Sequence, residues 1–141
     1  MKQVIATPDA PPALGPYAQG VKVGDQIWVS GQLPLDPRTR QIEPGGIAAQ
    51  TERVLLNIQA ILGEAEATLD HVVKFTIFMT DLAEFDEMNR VFAMFYPMGE
   101  NSRRLPPARA TVQVAALPRG ASIEMDAIAV LTAAYPDLEL F

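Results

Sequence analysis

At 141 residues the chain suits one domain, since single domains run to about 100–200 residues and two smaller cores would be poorly buried. Hydrophobic residues at 49% and charged residues at 20% supply a core and exclude the composition of a disordered chain. The absence of cysteine excludes disulfides, thiolate catalysis and cysteine-ligated zinc, and a net charge of −6 repels phosphate backbones, which makes nucleic acid a poor partner.

No run approaches the ~18 apolar residues that span a bilayer. Met1-Lys2-Gln3-Val4 lacks the apolar region of a signal peptide. The expected location is cytoplasmic, with no membrane partner.

Residues 2–6 read as a short strand. A proline-rich connection follows, Pro8 to Tyr17, in which the prolines fix φ and remove backbone donors. Residues 18–23 and 26–32 read as a hairpin around Gly24-Asp25, a two-residue turn of the preferred kind. Residues 34–46 hold three prolines and two glycines and read as a loop. Ile47, Thr51, Val54, Leu55, Ile58, Ile61 and Leu62 then recur at three- and four-residue steps, which predicts a helix. Gln50, Glu52, Arg53 and Gln59 are placed on its other face, and Gly63 weakens its end.

Val72 to Met79 is rich in β-branched and aromatic residues and reads as a strand. Val73, Phe75, Ile77 and Met79 are assigned to one face. Asp81 is the predicted cap of a second helix, with Glu84 three residues on. Leu82, Phe85, Met88, Phe92 and Phe95 form its apolar stripe, and Pro97 ends it. Residues 98–108 read as a loop, and strands at about 109–115 and 122–131 complete the pattern. In the last strand Ile123, Met125, Ala127 and Ala129 share one face; Glu124, Asp126, Ile128 and Val130 share the other.

The order is βββαβαββ, which argues for an α+β fold: one antiparallel or mixed sheet with two helices on one face. Residues 1–132 are read as a single domain and 133–141 as a tail. The sheet's second face also carries apolar side chains (Phe78, Ile128, Val130). A sheet apolar on both faces with two helices needs another cover, and a second copy is the simplest one.

His71 is the only histidine, so a metal cluster of histidines and cysteines is excluded, and a partly exposed structural role suits it. Gly45-Gly46 lacks the lysine and spacing of a phosphate loop. The basic group Arg103-Arg104 with Arg109 reads as a solvated loop. What remains for chemistry is a carboxylate with an arginine. Glu124 lies in an apolar strand and sits either at a solvated edge or in a polar pocket. Asp126 shares its face, so the pattern does not choose between the two acids. Arg109 follows the rigid Pro106-Pro107-Ala108 and is either an ordinary surface arginine or a bidentate grip for a carboxylate. Tyr17, at the end of the proline loop, reads as core or as ligand-facing, and Asn89, beside the apolar stripe of the second helix, reads as a surface or helix-packing residue.

Five blocks change that weighing. Gly15-Pro16-Tyr17-Ala18-Gln19, Val29 to Pro34, Val73 to Leu82, Pro107 to Val112 and Ile123 to Ala129 resemble, in order and in register, the signature blocks of the RidA/YjgF family. The resemblance runs from about residue 3 to 131. It implies a chorismate-mutase-like fold and a homotrimer whose sheets form a central barrel, with sites in the clefts between subunits. It also implies hydrolysis of 2-imino acids (2-iminobutanoate, 2-iminopropanoate) to 2-oxo acids and ammonia, with no metal and no cofactor. By the same resemblance Arg109 grips the substrate carboxylate and Glu124 activates water. Tyr17, Ser30, Gly31, Asn89 and the backbone at Thr111 line the pocket. Many deaminating members carry cysteine at the position of Thr111, so thiol-based regulation is excluded here.

Two other classes stay open from the resemblance: a non-catalytic ligand-binding or regulatory module, and an endoribonuclease or translation inhibitor. The deaminase reading requires Arg109 and Glu124 to meet in one solvent-reachable crevice, with room for a small acid and a water molecule.

Overall fold

The computed structural model describes residues 1–100, 102 and 104–133. Asn101, Arg103 and the tail from residue 134 lie outside them. Six strands form one sheet: β1 (Gln3–Ile5), β2 (Gly20–Val23), β3 (Gln26–Gln32), β4 (Val72–Met79), β5 (Ala108–Gln113) and β6 (Ile123–Val130). Two helices, α1 (Gly46–Glu64) and α2 (Phe85–Phe95), complete the domain. The sheet order is β1-β2-β3-β6-β4-β5. All neighbours pair antiparallel except β4 and β5, which are parallel. That pair needs a crossover, and α2 supplies it.

The helix-facing side of the sheet is apolar over most of β3, β4 and β6. Ile27, Val29, Phe75, Ile77, Met79, Ile123, Met125, Ala127 and Ala129 are buried there with Val54, Leu55, Ile58, Ile61 and Leu62 of α1 and Met88 and Phe92 of α2. Gly20 lies where β2 passes under α1; a Cβ at that residue would stand 3.0 Å from the Ile61 side chain.

Four local expectations need correction. Val73 does not share the core face with Phe75. The ladder to β6 shifts register between Val72 and Lys74, so Val72 is buried and Val73 is 38% exposed. Gln50 is not on the solvent face of α1; it is buried, and its Oε1 accepts a hydrogen bond from the Ser122 backbone at 2.9 Å. Leu82 does not join the apolar stripe of α2. It is exposed in the short 3₁₀ turn that Asp81 caps by accepting from the Ala83 backbone. Arg104 is not solvated but paired: its Nε lies 2.7 Å from Asp70 Oδ1. The predicted structural role of His71 holds, since its Nδ1 accepts from the Thr68 backbone at 2.9 Å and closes a capping box.

The second face carries Val21, Trp28 and Ile128 in register across β2, β3 and β6, and, further along the strands, Phe78 in register with Val112 across β4 and β5. Trp28 is 40% and Val112 43% exposed. Between these apolar positions lie Lys74, Thr76, Asp126 and Glu124, which the same registers place on that face. No helix among the described residues is long and apolar enough to cross a membrane.

Candidate active site

One group of candidate residues assembles where the proline-rich loop meets β3 and β6. The loop is held from within by Gln19. Its buried side-chain amide donates to the carbonyls of Pro11 at 2.8 Å and Thr7 at 3.1 Å, and its Oε1 accepts from the Thr7 backbone at 2.7 Å. Prolines cannot donate, so the loop's carbonyls need an outside donor, and Gln19 is that donor. Tyr17 is thereby fixed at the loop's end, about half exposed, with its hydroxyl accepting from the Leu14 backbone at 3.2 Å.

Glu124 faces this loop across a β-bulge. Val29 and Gln32 of β3 pair with Ala127 and Met125 of β6. Ser30 and Gly31 therefore oppose the single residue Asp126. The extra residue re-aims the strand. Ser30 turns back to donate to the Ala18 carbonyl at 2.6 Å, and Gly31 comes against Glu124. A Cβ on Gly31 would lie 2.8 Å from Glu124 Oε2, so only glycine leaves the carboxylate where it is. Tyr17, Gly31 and Glu124 line one cavity of about 260 Å³. Burial, and then the nearby charge of Asp126, push the Glu124 carboxyl above its ordinary value. Asp126 is raised less simply: burial lifts it, while Thr76 and Lys74 oppose the lift.

The second group sits on α2 and the edge strand β5. Arg109 pairs in register with Phe75, which directs it to the helix-facing side. Its guanidinium lies 4.9 Å from the centre of the Phe92 ring and 5.5 Å from that of Phe85. Its Nη1 donates to Asn89 Oδ1 at 2.8 Å. Phe85, Asn89 and Phe92 recur at three- and four-residue steps and so share a face of α2. Among the described residues no carboxylate pairs with Arg109. A planar guanidinium fixed by stacking and one amide keeps its remaining donors for a ligand. Burial lowers its pKa from the ordinary value, yet arginine stays charged at any physiological pH. Thr111 follows two residues on, on the same side of β5, and its Oγ1 is buried without a hydrogen-bond partner among the described residues.

The structure thus gathers Tyr17, Gly31 and Glu124 in one place, with Ser30 shaping the bulge beside them, and Arg109, Asn89 and Thr111 in another. It does not bring the two groups together within one chain. Glu124 pairs with Phe78 and faces the open side, whereas Arg109 pairs with Phe75 and faces α2. The single crevice required by the sequence reading is not met inside one molecule. Sequence reasoning missed the bulge, the organising role of Gln19 and the clamp of Arg104. The bulge has a faint signal in Ser30-Gly31, a small pair interrupting an otherwise β-branched run.

The chain matches the model of the Endoribonuclease L-PSP family over residues 7–131. It is 48% identical to a RutC family protein of Pyrococcus abyssi, covering 91% of this chain and 96% of that one. It is 40% identical to the 2-iminobutanoate/2-iminopropanoate deaminase of Mus musculus over 92% of each. Among solved structures, E. coli TdcF with bound serine superposes with a TM-score of 0.84 at 38% identity, covering 91% of this chain and 98% of that one. The sheet and helices described above are the chorismate-mutase-like arrangement of such neighbours. Fold, length and motif order agree, and the chain belongs to the RidA/YjgF/TdcF/RutC family.

Proposed function

We propose that the protein is a deaminase of 2-imino acids such as 2-iminobutanoate and 2-iminopropanoate, working at sites shared between copies of the chain in a homotrimer. The observation that carries this reading is a pair of incomplete half-sites. Arg109 is a rigid, carboxylate-free guanidinium, and Glu124 is a partly buried carboxylate with no hydrogen-bond donor among the described residues. They lie on opposite faces of one sheet, so a second copy is what can bring them together. The open apolar face with Trp28 and Phe78 supplies the surface for such assembly.

The chemistry follows from these groups. Arg109 grips the substrate carboxylate and fixes C2. Glu124 accepts a proton from water as the water oxygen bonds to C2 and the C=N electron pair moves to nitrogen. Glu124 returns that proton to nitrogen to complete the carbinolamine. It then takes the hydroxyl proton as the O–H pair forms the C=O bond and passes it to nitrogen as the C–N bond breaks with its pair on nitrogen, so that ammonia and a 2-oxo acid leave and the carboxylate is restored. General-base help of this kind is worth about 10²–10⁴ in rate. The raised pKa of Glu124 makes it a stronger acceptor than an ordinary glutamate. The deaminase relative at 40% identity and the serine-bound TdcF support a small amino- or imino-acid ligand.

The test couples an amino-acid oxidase, releasing 2-iminopropanoate from alanine, to semicarbazide trapping. Wild-type protein should suppress the trapped imine and Glu124→Ala should not. A trapping rate that wild type leaves unchanged ends the reading. The family model's description favours RNA cleavage as the second reading. RNA hydrolysis by wild type that Arg109→Ala abolishes would support it, whereas loss of imine turnover alone supports the deaminase.

A further inference from the structure

The Arg109 guanidinium opens onto a cavity of about 180 Å³ between α2 and the loop that leads into β5. Phe92 and Tyr96 floor it, Ala93 and Met98 stand at its mouth, and Pro106-Pro107 wall its far side. Positions 89, 92 and 93 share one face of α2, and Tyr96, its C-cap, continues that face. Among the described lining side chains, Arg109 and Asn89 alone carry a hydrogen-bonding group free for a ligand. The Tyr96 hydroxyl is committed to the Leu69 carbonyl at 2.8 Å, and prolines have no donor. The wall is held in place by Arg104, which binds Asp70 at 2.7 Å and the Phe95 carbonyl at 2.9 Å while its guanidinium lies 5.6 Å from the Tyr96 ring centre.

A charged end and an apolar body describe an occupant: a carboxylate on Arg109 with a bulky hydrocarbon side chain beside it. A cavity of roughly 150 Å³ accommodates a benzene ring, so this one has room for an isobutyl or benzyl group. A polar side chain would lose its water without replacement. We infer that the cavity is the side-chain subsite, and that the preferred substrates are 2-imino acids with branched or aromatic apolar side chains rather than 2-iminopropanoate. The inference rests on the deaminase reading. Seating both carboxylate and side chain against α2 leaves C2 at the mouth, facing outward, where Glu124 of a second copy would reach it.

The test compares kcat/KM for the imines that an amino-acid oxidase forms from leucine and from alanine, with semicarbazide trapping as the clock. Wild type should favour the leucine-derived imine by at least about tenfold, the low end of what one added methylene is worth in an apolar pocket. Ala93→Leu fills the cavity from an exposed helix position and should lower that ratio at least about fivefold. Met98→Glu, at a residue 78% exposed, puts a charge at the mouth and should lower the same ratio. Met94→Leu, on the same helix but outside the cavity, should leave it unchanged. A wild-type ratio of one or less, or a ratio that neither Ala93→Leu nor Met98→Glu moves, overturns the subsite and leaves the deaminase standing. If neither imine is consumed, the deaminase reading fails and the subsite with it.

Discussion

Glu124 carries its charge against two opposing influences, burial and the neighbouring Asp126, and both raise its pKa. For a carboxylate raised on folding, the stabilising contribution is present below the unfolded pKa and is lost as pH rises through the folded one. Ionising the group therefore works against the fold, a strain that the proposed general-base role accounts for. Glu124→Gln should cut imine turnover by about 10²–10⁴ while leaving Tm at pH 7 unchanged or higher; a Tm well below wild type would show the residue to be structural. The proton balance also sets a pH profile. Turnover should fall on the acid side with a midpoint above 4.5, the ordinary value for glutamate, and the fall should be absent from the residual activity of Glu124→Gln. Gly31 tests the position of the carboxylate instead of its charge. Its backbone is not left-handed, so alanine is tolerated there, but the new Cβ would meet Glu124 Oε2 at 2.8 Å and the carboxylate must yield. A misplacement of about 1 Å costs on the order of 10²-fold in rate. Gly31→Ala should therefore lose activity with little change in Tm, measured by trapping kinetics and thermal melts.

Long elements with one period were legible in the sequence, and irregular ones were not. The periodic positions from Ile47 to Leu62, six apolar and Thr51, all but spell out α1, because burial of one helix face dictates their spacing. The alternation of β6 was equally plain, and its two faces came out as read. Register shifts escaped because a bulge changes which residues face inward without changing composition: Val73 looks no different from Val72 in a string of apolar letters. Buried polar residues escaped for a related reason. Asn57 on α1 is fully buried, and its amide donates to the carbonyls of Leu33 and Leu35 at 3.1 and 3.0 Å. Partners so distant in sequence leave no local signal. Asn57 is the only described side chain joining α1 to both of these carbonyls, and it ties the loop after β3 to the helix. Asn57→Ala would strand both carbonyls, and each stranded group costs about 1–3 kcal/mol. A loss of about 2–3 kcal/mol in urea denaturation is expected, against less than 0.5 for a surface substitution such as Gln59→Ala. For the candidate site, Arg109 and Glu124 came from motif likeness more than from pattern. The alternation alone left Glu124 and Asp126 equivalent and the resemblance chose Glu124; in the structure Glu124 abuts Gly31 in the cavity with Tyr17, whereas Asp126 is engaged by Thr76 and Lys74.

At the scale of the molecule, one sheet exposes apolar side chains such as Trp28 and Val112 on its open face, and its register sets Arg109 and Glu124 on opposite faces. Both facts point to association of like copies. Trp28→Lys, at a side chain 40% exposed in the chain, should leave the far-ultraviolet circular dichroism unchanged yet shift light scattering from trimer toward monomer, with loss of imine turnover. The sharper experiment separates the halves genetically. Arg109→Ala and Glu124→Ala chains are each expected to be inactive, since every site in either trimer lacks one group. Unfolded together at equal concentration and refolded, they form mixed trimers. A site shared between neighbours then recovers both groups whenever its Arg109-bearing half comes from one variant and its Glu124-bearing half from the other. Random mixing gives that combination in about one site in four, so about a quarter of wild-type activity should return, because each interface draws its two sides independently. A site built within one chain would regain nothing, as every chain in the mixture lacks one of the two groups. Mixing the pre-formed trimers without unfolding serves as the control and should stay inactive for as long as subunits do not exchange.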